Sequence, residues 1–138
     1  MSSVSRLIKA PPEAIYRACT DLASILRWRV PWNMTGKIDN IDGATYRMSL
    51  RYPDGRADTF EATVVERVPN EKVVERIRFD AADRAGEMVM TTRLRRVDGG
   101  TDVTVEYENL PSSIPREDNE EGSRQALENL AKLVEGPV

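Results

Sequence analysis

The sequence predicts an α+β domain in which a curved antiparallel β-sheet is closed by a long amphipathic C-terminal helix. Three observations carry this. Apolar residues alternate with period two over most of residues 45–107, a strong Asp98-Gly99 hairpin signal joins two of those runs, and the last twenty or so residues switch to helical spacing behind acidic residues.

With 138 residues the chain makes one domain, spanning residues 1–138. Hydrophobic residues at 40% and charged residues at 31%, with both signs interspersed, are a globular balance and not that of a disordered chain.

The elements follow in order. Residues 3–9 read as a strand, and Pro12 then opens a helix that places Ile15, Ala18, Cys19 and Leu22 on one face. Asp21 is placed to cap a short second helix bearing Leu22, Ile25 and Leu26. Beyond Gly36 the period becomes two. Tyr46, Met48, Leu50 and Tyr52 alternate with Arg47, Ser49 and Arg51, and after the Pro53-Asp54-Gly55 turn Phe60, Ala62 and Val64 continue. Keeping both sets on one face requires an odd-length connection or a bulge.

Pro69-Asn70-Glu71 turns the chain again, and Val73, Ile77 and Phe79 face one way. Residues 81–86 read as a loop, followed by Met88, Met90, Thr92 and Leu94 on one face. With Val97 opposite Gly100 across the Asp98-Gly99 turn, Leu94 meets Val103 and Met90 meets Tyr107, so turn chemistry and apolar parity agree. Residues 111–115 connect to the final helix, expected to start near Asp118 with a capping box to Glu121 and to stop at Gly136. Its inner stripe runs Ser123, Ala126, Leu127, Leu130, Ala131, Val134: small in front, large behind.

Composition excludes several chemistries. The chain has no histidine and one cysteine, which rules out the usual Cys/His zinc sites, Ser-His-Asp and Cys-His nucleophile systems, and an internal disulfide. A carboxylate-only magnesium or calcium site needs an Asp-rich loop, and none is spaced to make one; neither a metal nor a cofactor is expected. A net charge of −3 argues against nucleic acid as a partner. No stretch approaches the length of apolar residues that crosses a bilayer and the N-terminus lacks the apolar core of a signal peptide, so a soluble, cytoplasmic protein away from membranes is expected.

Four stretches together resemble one family. They are Ala10-Pro11-Pro12-Glu13-Ala14-Ile15-Tyr16-Arg17-Ala18; Trp28 with Pro31-Trp32-Asn33-Met34; Tyr46-Arg47-Met48-Ser49-Leu50; and Pro115-Arg116-Glu117-Asp118-Asn119-Glu120-Glu121-Gly122 leading into Ala126-Leu127-Glu128-Asn129-Leu130-Ala131. In this order the chain resembles the START-like, or SRPBCC, superfamily, and within it single-domain homologues of the activator of the 90-kDa heat-shock protein ATPase, grouped with polyketide-cyclase-like proteins. Relatives often carry a tryptophan after the glycine of the last helix, where this chain has Ser123. The resemblance implies the helix-grip fold, a pocket between sheet and helix that admits hydrophobic molecules, and in some branches a catalytic or chaperone-binding role.

The expected pocket is walled by Met48, Tyr52, Phe60, Phe79, Met88, Met90 and Tyr107 from the sheet, and by Ser123, Arg124 and Leu127 from the helix. Trp28, Trp32 and Met34 are expected near its mouth. Methionine adapts its shape to a variable apolar guest, although the same residues also make an ordinary core. The small Gly122, Ser123 and Ala126 opposite long sheet side chains either let the helix sit close or leave a void, and the resemblance implies a void.

Glu66 and Glu75 are expected to face each other, counting outward from a Val68–Val73 pair. Like charges so placed either line a pocket entrance, where one could transfer protons, or sit in water beside arginines, the commoner arrangement. Of the arginines, parity puts Arg47, Arg51 and Arg76 outside, and Arg124 borders the helix's inner stripe. Cys19 reads as a small core residue.

The leading expectation is therefore a binding protein for a small apolar or amphipathic molecule. Alternatives are a cyclase, aromatase or hydrolase using Glu66, Glu75 or Tyr107, and a co-chaperone-like partner of an ATPase. A sheet edge or the Trp28/Trp32 region could support a homodimer.

Overall fold

The computed structural model describes residues 2–30, 34–80 and 86–135. Element order is β1 (Ser2–Ile8), α1 (Pro12–Thr20), α2 (Leu22–Arg29), β2 (Thr35–Asn40), β3 (Thr45–Arg51), β4 (Ala57–Val68), β5 (Lys72–Phe79), β6 (Met88–Val97), β7 (Gly100–Glu108) and α3 (Arg116–Glu135). The strands form one antiparallel sheet in the order β1-β7-β6-β5-β4-β3-β2. The first strand joins the last because the two helices carry the chain across to the opposite edge, where β2 begins. The chain has the expected helix-grip architecture.

Local chemistry explains the helices. Pro12 sits in the first turn of α1, where a missing N–H costs nothing. Asp21 caps α2 by accepting from the Ser24 amide at 3.1 Å. The Trp28 indole donates to the Ala18 carbonyl at 3.1 Å, and the Asn129 amide of α3 donates to the carbonyls of Trp28 and Val30 at 3.4 and 3.3 Å. These bonds fasten α2 to both α1 and α3.

The β6–β7 hairpin has the expected register, with Val97 opposite Gly100, Leu94 opposite Val103 and Met90 opposite Tyr107. Five residues connect Arg51 to its partner Ala57, an odd-length loop that keeps Met48 opposite Phe60 and Tyr46 opposite Ala62 on the inner face.

Two expectations are corrected. The 69–71 turn is a three-residue connection with Asn70 at φ 65°, so Val68 pairs with Lys72 instead of Val73. A bulge between Val64 and Glu66 then shifts the register so that Glu75 lies opposite Val64 and Glu66 opposite Val74; the two carboxylates do not face each other. The final helix starts at Arg116, two residues before Asp118, because the Pro115 carbonyl already accepts the Asn119 amide at 3.1 Å. Asp118 is thus a first-turn residue and not a cap, favourable there through the helix dipole. The expected 81–86 loop, save Gly86, and the Gly136 stop lie outside the described residues.

The core fills one end of the space between sheet and helix. Leu127, Leu130 and Ala131 of α3 are buried, as are Ile8, Ile15, Ile25, Val73 and Val103. The Gly100 backbone presses on β1 here: a β-carbon at this residue would lie 2.2 Å from the Ile8 carbonyl oxygen. Gly100→Ala is therefore expected to cost about 3 kcal/mol or more, whereas Gly43→Ala, with φ +88° but open space around it, should cost about 1 kcal/mol. Urea unfolding of the two variants checks the contrast, and equal losses would contradict it.

Candidate functional site

At the other end of that space, under the front turns of α3, the side chains leave a cavity of about 320 Å³. Its inner wall is the sheet: Met48, Phe60, Ile77, Phe79 and Met88, with Phe60 and Phe79 tilted against each other at a centroid distance of 5.5 Å. Tyr107 closes one side, and Ser113, Ile114 and Pro115 of the connector form the lip. Asp58, Asp118 and Asn119 bring polar groups to the wall. The Tyr52 hydroxyl donates to Asp58 at 2.6 Å, and Arg56, paired with Asp54 at 2.8 Å, stacks over the Tyr52 ring.

A smaller space of about 190 Å³ continues beneath Gly122, Ser123 and Ala126, and shares Arg29, Leu50, Tyr107, Asp118 and Asn119 with the first. Short side chains on the front of the helix thus leave room, the one of the two arrangements that the resemblance implies.

The residue that organises the site is Arg29, at the end of α2. Its side chain is only 8% exposed and it borders both spaces. Nη1 donates to both carboxylate oxygens of Glu75 at 3.1 Å and to the Tyr46 hydroxyl at 2.6 Å, while that hydroxyl donates to Glu75 in turn. Burial works against the arginine's charge, but the field of Glu75, aided by Tyr46 and Tyr107, outweighs it and pushes its pKa above the ordinary value.

The phenols behave oppositely. Burial raises Tyr46 well above an ordinary tyrosine and raises Tyr107 as well, so both remain neutral. The Ser123 hydroxyl, which donates to the Asn119 carbonyl at 2.8 Å, is also a partner of the Tyr107 phenol.

Of the expected pocket residues, Met48, Tyr52, Phe60, Phe79, Met88 and Tyr107 line the larger space; Met90, Trp28 and Ser123 line the smaller. Trp28 is not at a mouth or on a dimer surface: it is 1% exposed, because its indole N–H is used inside to join the helices. Leu127 belongs to the filled core, and Met34 is half-buried and lines neither space. Trp32 lies outside the described residues.

Arg124 is corrected too, since it points to solvent and pairs with Glu121 at 3.2 Å on the outer face of α3. Arg47, Arg51 and Arg76 are on the outer face of the sheet as parity requires; Arg47 pairs there with Glu61 and Asp80. Glu66 is exposed and paired with Lys72 at 3.1 Å. Glu75 is buried, but it sits behind Arg29 and not on the cavity wall. Among the described residues, no cluster of three or more Cys, Asp or Glu could hold a metal ion.

Sequence reading missed Arg29, although two signals pointed to it. Glu75 occupies an inward position between Val73 and Ile77 and needs a cation, and Arg29 lies four residues after the buried Ile25, on the face that α2 turns inward.

Two outcomes are expected. Arg29→Met leaves Glu75 buried without its cation and should cost about 3–5 kcal/mol, of which Arg29→Met/Glu75→Met recovers more than half; urea unfolding measures both, and no recovery would contradict the pairing. Burial, reinforced by Glu75, pushes the Cys19 thiol up to about 12. It should therefore be inert to a dithionitrobenzoate reagent near neutral pH and react once the chain is unfolded; rapid reaction of the folded protein would contradict this.

Comparison with known proteins supplies the family. No curated protein matches this chain. A crystal structure of a Chromobacterium violaceum protein superposes with a TM-score of 0.92 at 32% identity, covering 98% of this chain and 96% of that one. The fold recurs at lower identity in the AHSA1 protein from Silicibacter pomeroyi (19% identity, TM-score 0.79, 94% and 93% covered). A Rhodobacter sphaeroides protein has it too (20%, 0.78, 94% and 88%). Residues 9–135 match the family described as "Activator of Hsp90 ATPase homolog 1-like protein", and the chain belongs to that family within the START-like, or SRPBCC, group of helix-grip folds.

Proposed function

We propose that this protein binds one small, largely apolar molecule in the space between the sheet and the front of α3. The observation that carries the reading is the cavity of about 320 Å³, which falls in the size range of ligand pockets and has an aromatic and methionine wall with few polar groups. Met48 and Met88 can change rotamer to fit guests of different outline. The helix-grip architecture of the family is consistent with a ligand-binding domain.

The features that would favour the other classes are weaker. Of the two carboxylates expected to carry acid–base chemistry, Glu66 is in solvent and Glu75 is screened from the cavity by Arg29. The family description names an activator of the Hsp90 ATPase. A protein-docking face would need contiguous apolar surface, yet among the described residues the exposed large apolar side chains, Leu7, Ile41 and Val65, are scattered over β1, the end of β2 and the β4 bulge. No helix among the described residues is long and apolar enough to cross a membrane.

The test uses a neutral apolar fluorophore, N-phenyl-1-naphthylamine. One-to-one binding with a dissociation constant on the order of micromolar is expected, weakened about tenfold or more by Ser113→Trp at the lip and by Ala126→Trp beneath the helix. Circular dichroism checks that both variants are folded. Absence of binding, or binding that neither tryptophan alters, would overturn the reading.

A further inference from the structure

The polar groups of the cavity constrain what kind of molecule can enter. Among the described residues Arg29 is the one cation on its wall, and the partners of its guanidinium, Glu75 and Tyr46, are all met through a single nitrogen, Nη1. No buried polar side-chain atom among the described residues lacks a partner. Nε and Nη2, which take no part in those bonds, therefore open onto accessible space, and the space that Arg29 borders is the cavity. They are donors fixed in direction, because the fork is held by the carboxylate behind it.

The charge of Arg29 is not free, however. Glu75 balances it at 3.1 Å, and among the described residues the other charged side chains of the wall, Asp58 and Asp118, are both acidic. Arg56, near the rim, is already paired with Asp54. A ligand anion would thus meet no cation among the described wall residues that is not already balanced, and would lose its hydration to enter. An uncharged oxygen acceptor would instead gain the Arg29 donors at little desolvation cost.

Resting on the cavity reading above, we infer that the ligand is an uncharged amphipathic molecule whose buried end presents a carbonyl-type oxygen to the guanidinium of Arg29. Carboxylates of the same shape are disfavoured, because Glu75 already balances Arg29 and Asp118 adds an acidic group to the wall. The Glu75 pair sets the direction of the donor, so Glu75 is a positioning residue that need not touch the ligand.

Three probes of one outline separate the possibilities: 2-acetylnaphthalene, 2-ethylnaphthalene and 2-naphthoate, each titrated against N-phenyl-1-naphthylamine at neutral pH. The ketone is expected to bind about tenfold or more tighter than the hydrocarbon, and the carboxylate to bind more weakly than the ketone by at least as much. In Arg29→Met/Glu75→Met, checked for fold by circular dichroism, the ketone and hydrocarbon should converge to within about twofold. Asp118→Asn, at an exposed wall position, should strengthen naphthoate and so narrow the preference for the ketone over it.

Equal affinity of ketone and hydrocarbon, or tighter binding of naphthoate, would overturn the assignment while leaving the cavity reading intact. A ketone preference that survives the double variant would overturn the role of Arg29. Failure of all three probes and of the fluorophore would remove the cavity reading and this inference with it.

Discussion

The buried contact of Arg29 with Glu75 and Tyr46 joins three elements that are far apart in sequence. It ties the end of α2 to β5 and β3, and each group needs the other two: the arginine and the carboxylate are too costly to bury alone, and the phenol completes the hydrogen bonding. A hydrophobic replacement could hold α2 down as firmly. What the polar version adds is a guanidinium held at the cavity wall, on which the proposed site rests.

The space between sheet and α3 is divided by side-chain size. Behind, Leu127, Leu130 and Ala131 pack with Ile8, Ile15 and Val103 and leave no room. In front, Gly122 and Ala126 are too short to fill the gap, Ser123 meets the Tyr107 hydroxyl, and Met48, Phe60 and Met88 leave the rest open. The same helix thus supplies rigid packing and an opening, and the bonds from Asn129 to the end of α2 fix the helix between the two. A rigid frame around an empty end gives the proposed binding site a shape set in advance of any ligand.

Much of this is legible in the sequence because it depends on local rules. Parity and the Asp98-Gly99 turn agree on the β6–β7 register, and the small front of α3 allows either close packing or the void that the family resemblance implies. The Glu66–Glu75 pairing fails because register on the far side of a turn depends on the turn's length and on any bulge. A three-residue connection and one extra residue at Val65 were enough to move Glu66 outside. The start of α3 is misread for a related reason: acidic residues suggest a capping box, but a backbone carbonyl at Pro115 needs no side-chain signal. Trp28 and Arg29 are tertiary facts. Which way α2 rolls, and so whether its tryptophan is wall or core and its arginine inside or out, is decided by Ala18, Glu75 and Asn129, residues that only the fold brings near.

The central claim is that Arg29 is charged, immobile and aimed at the cavity. Side-chain nitrogen NMR of the arginines tests it most directly, since rotation about the Nε–Cζ bond and proton exchange with water are fast in a solvated guanidinium and slow in one held by a buried carboxylate. The account predicts one arginine, lost in Arg29→Met/Glu75→Met, with separate, slowly exchanging Nη signals. An Arg29 signal averaged like those of the surface arginines would contradict it.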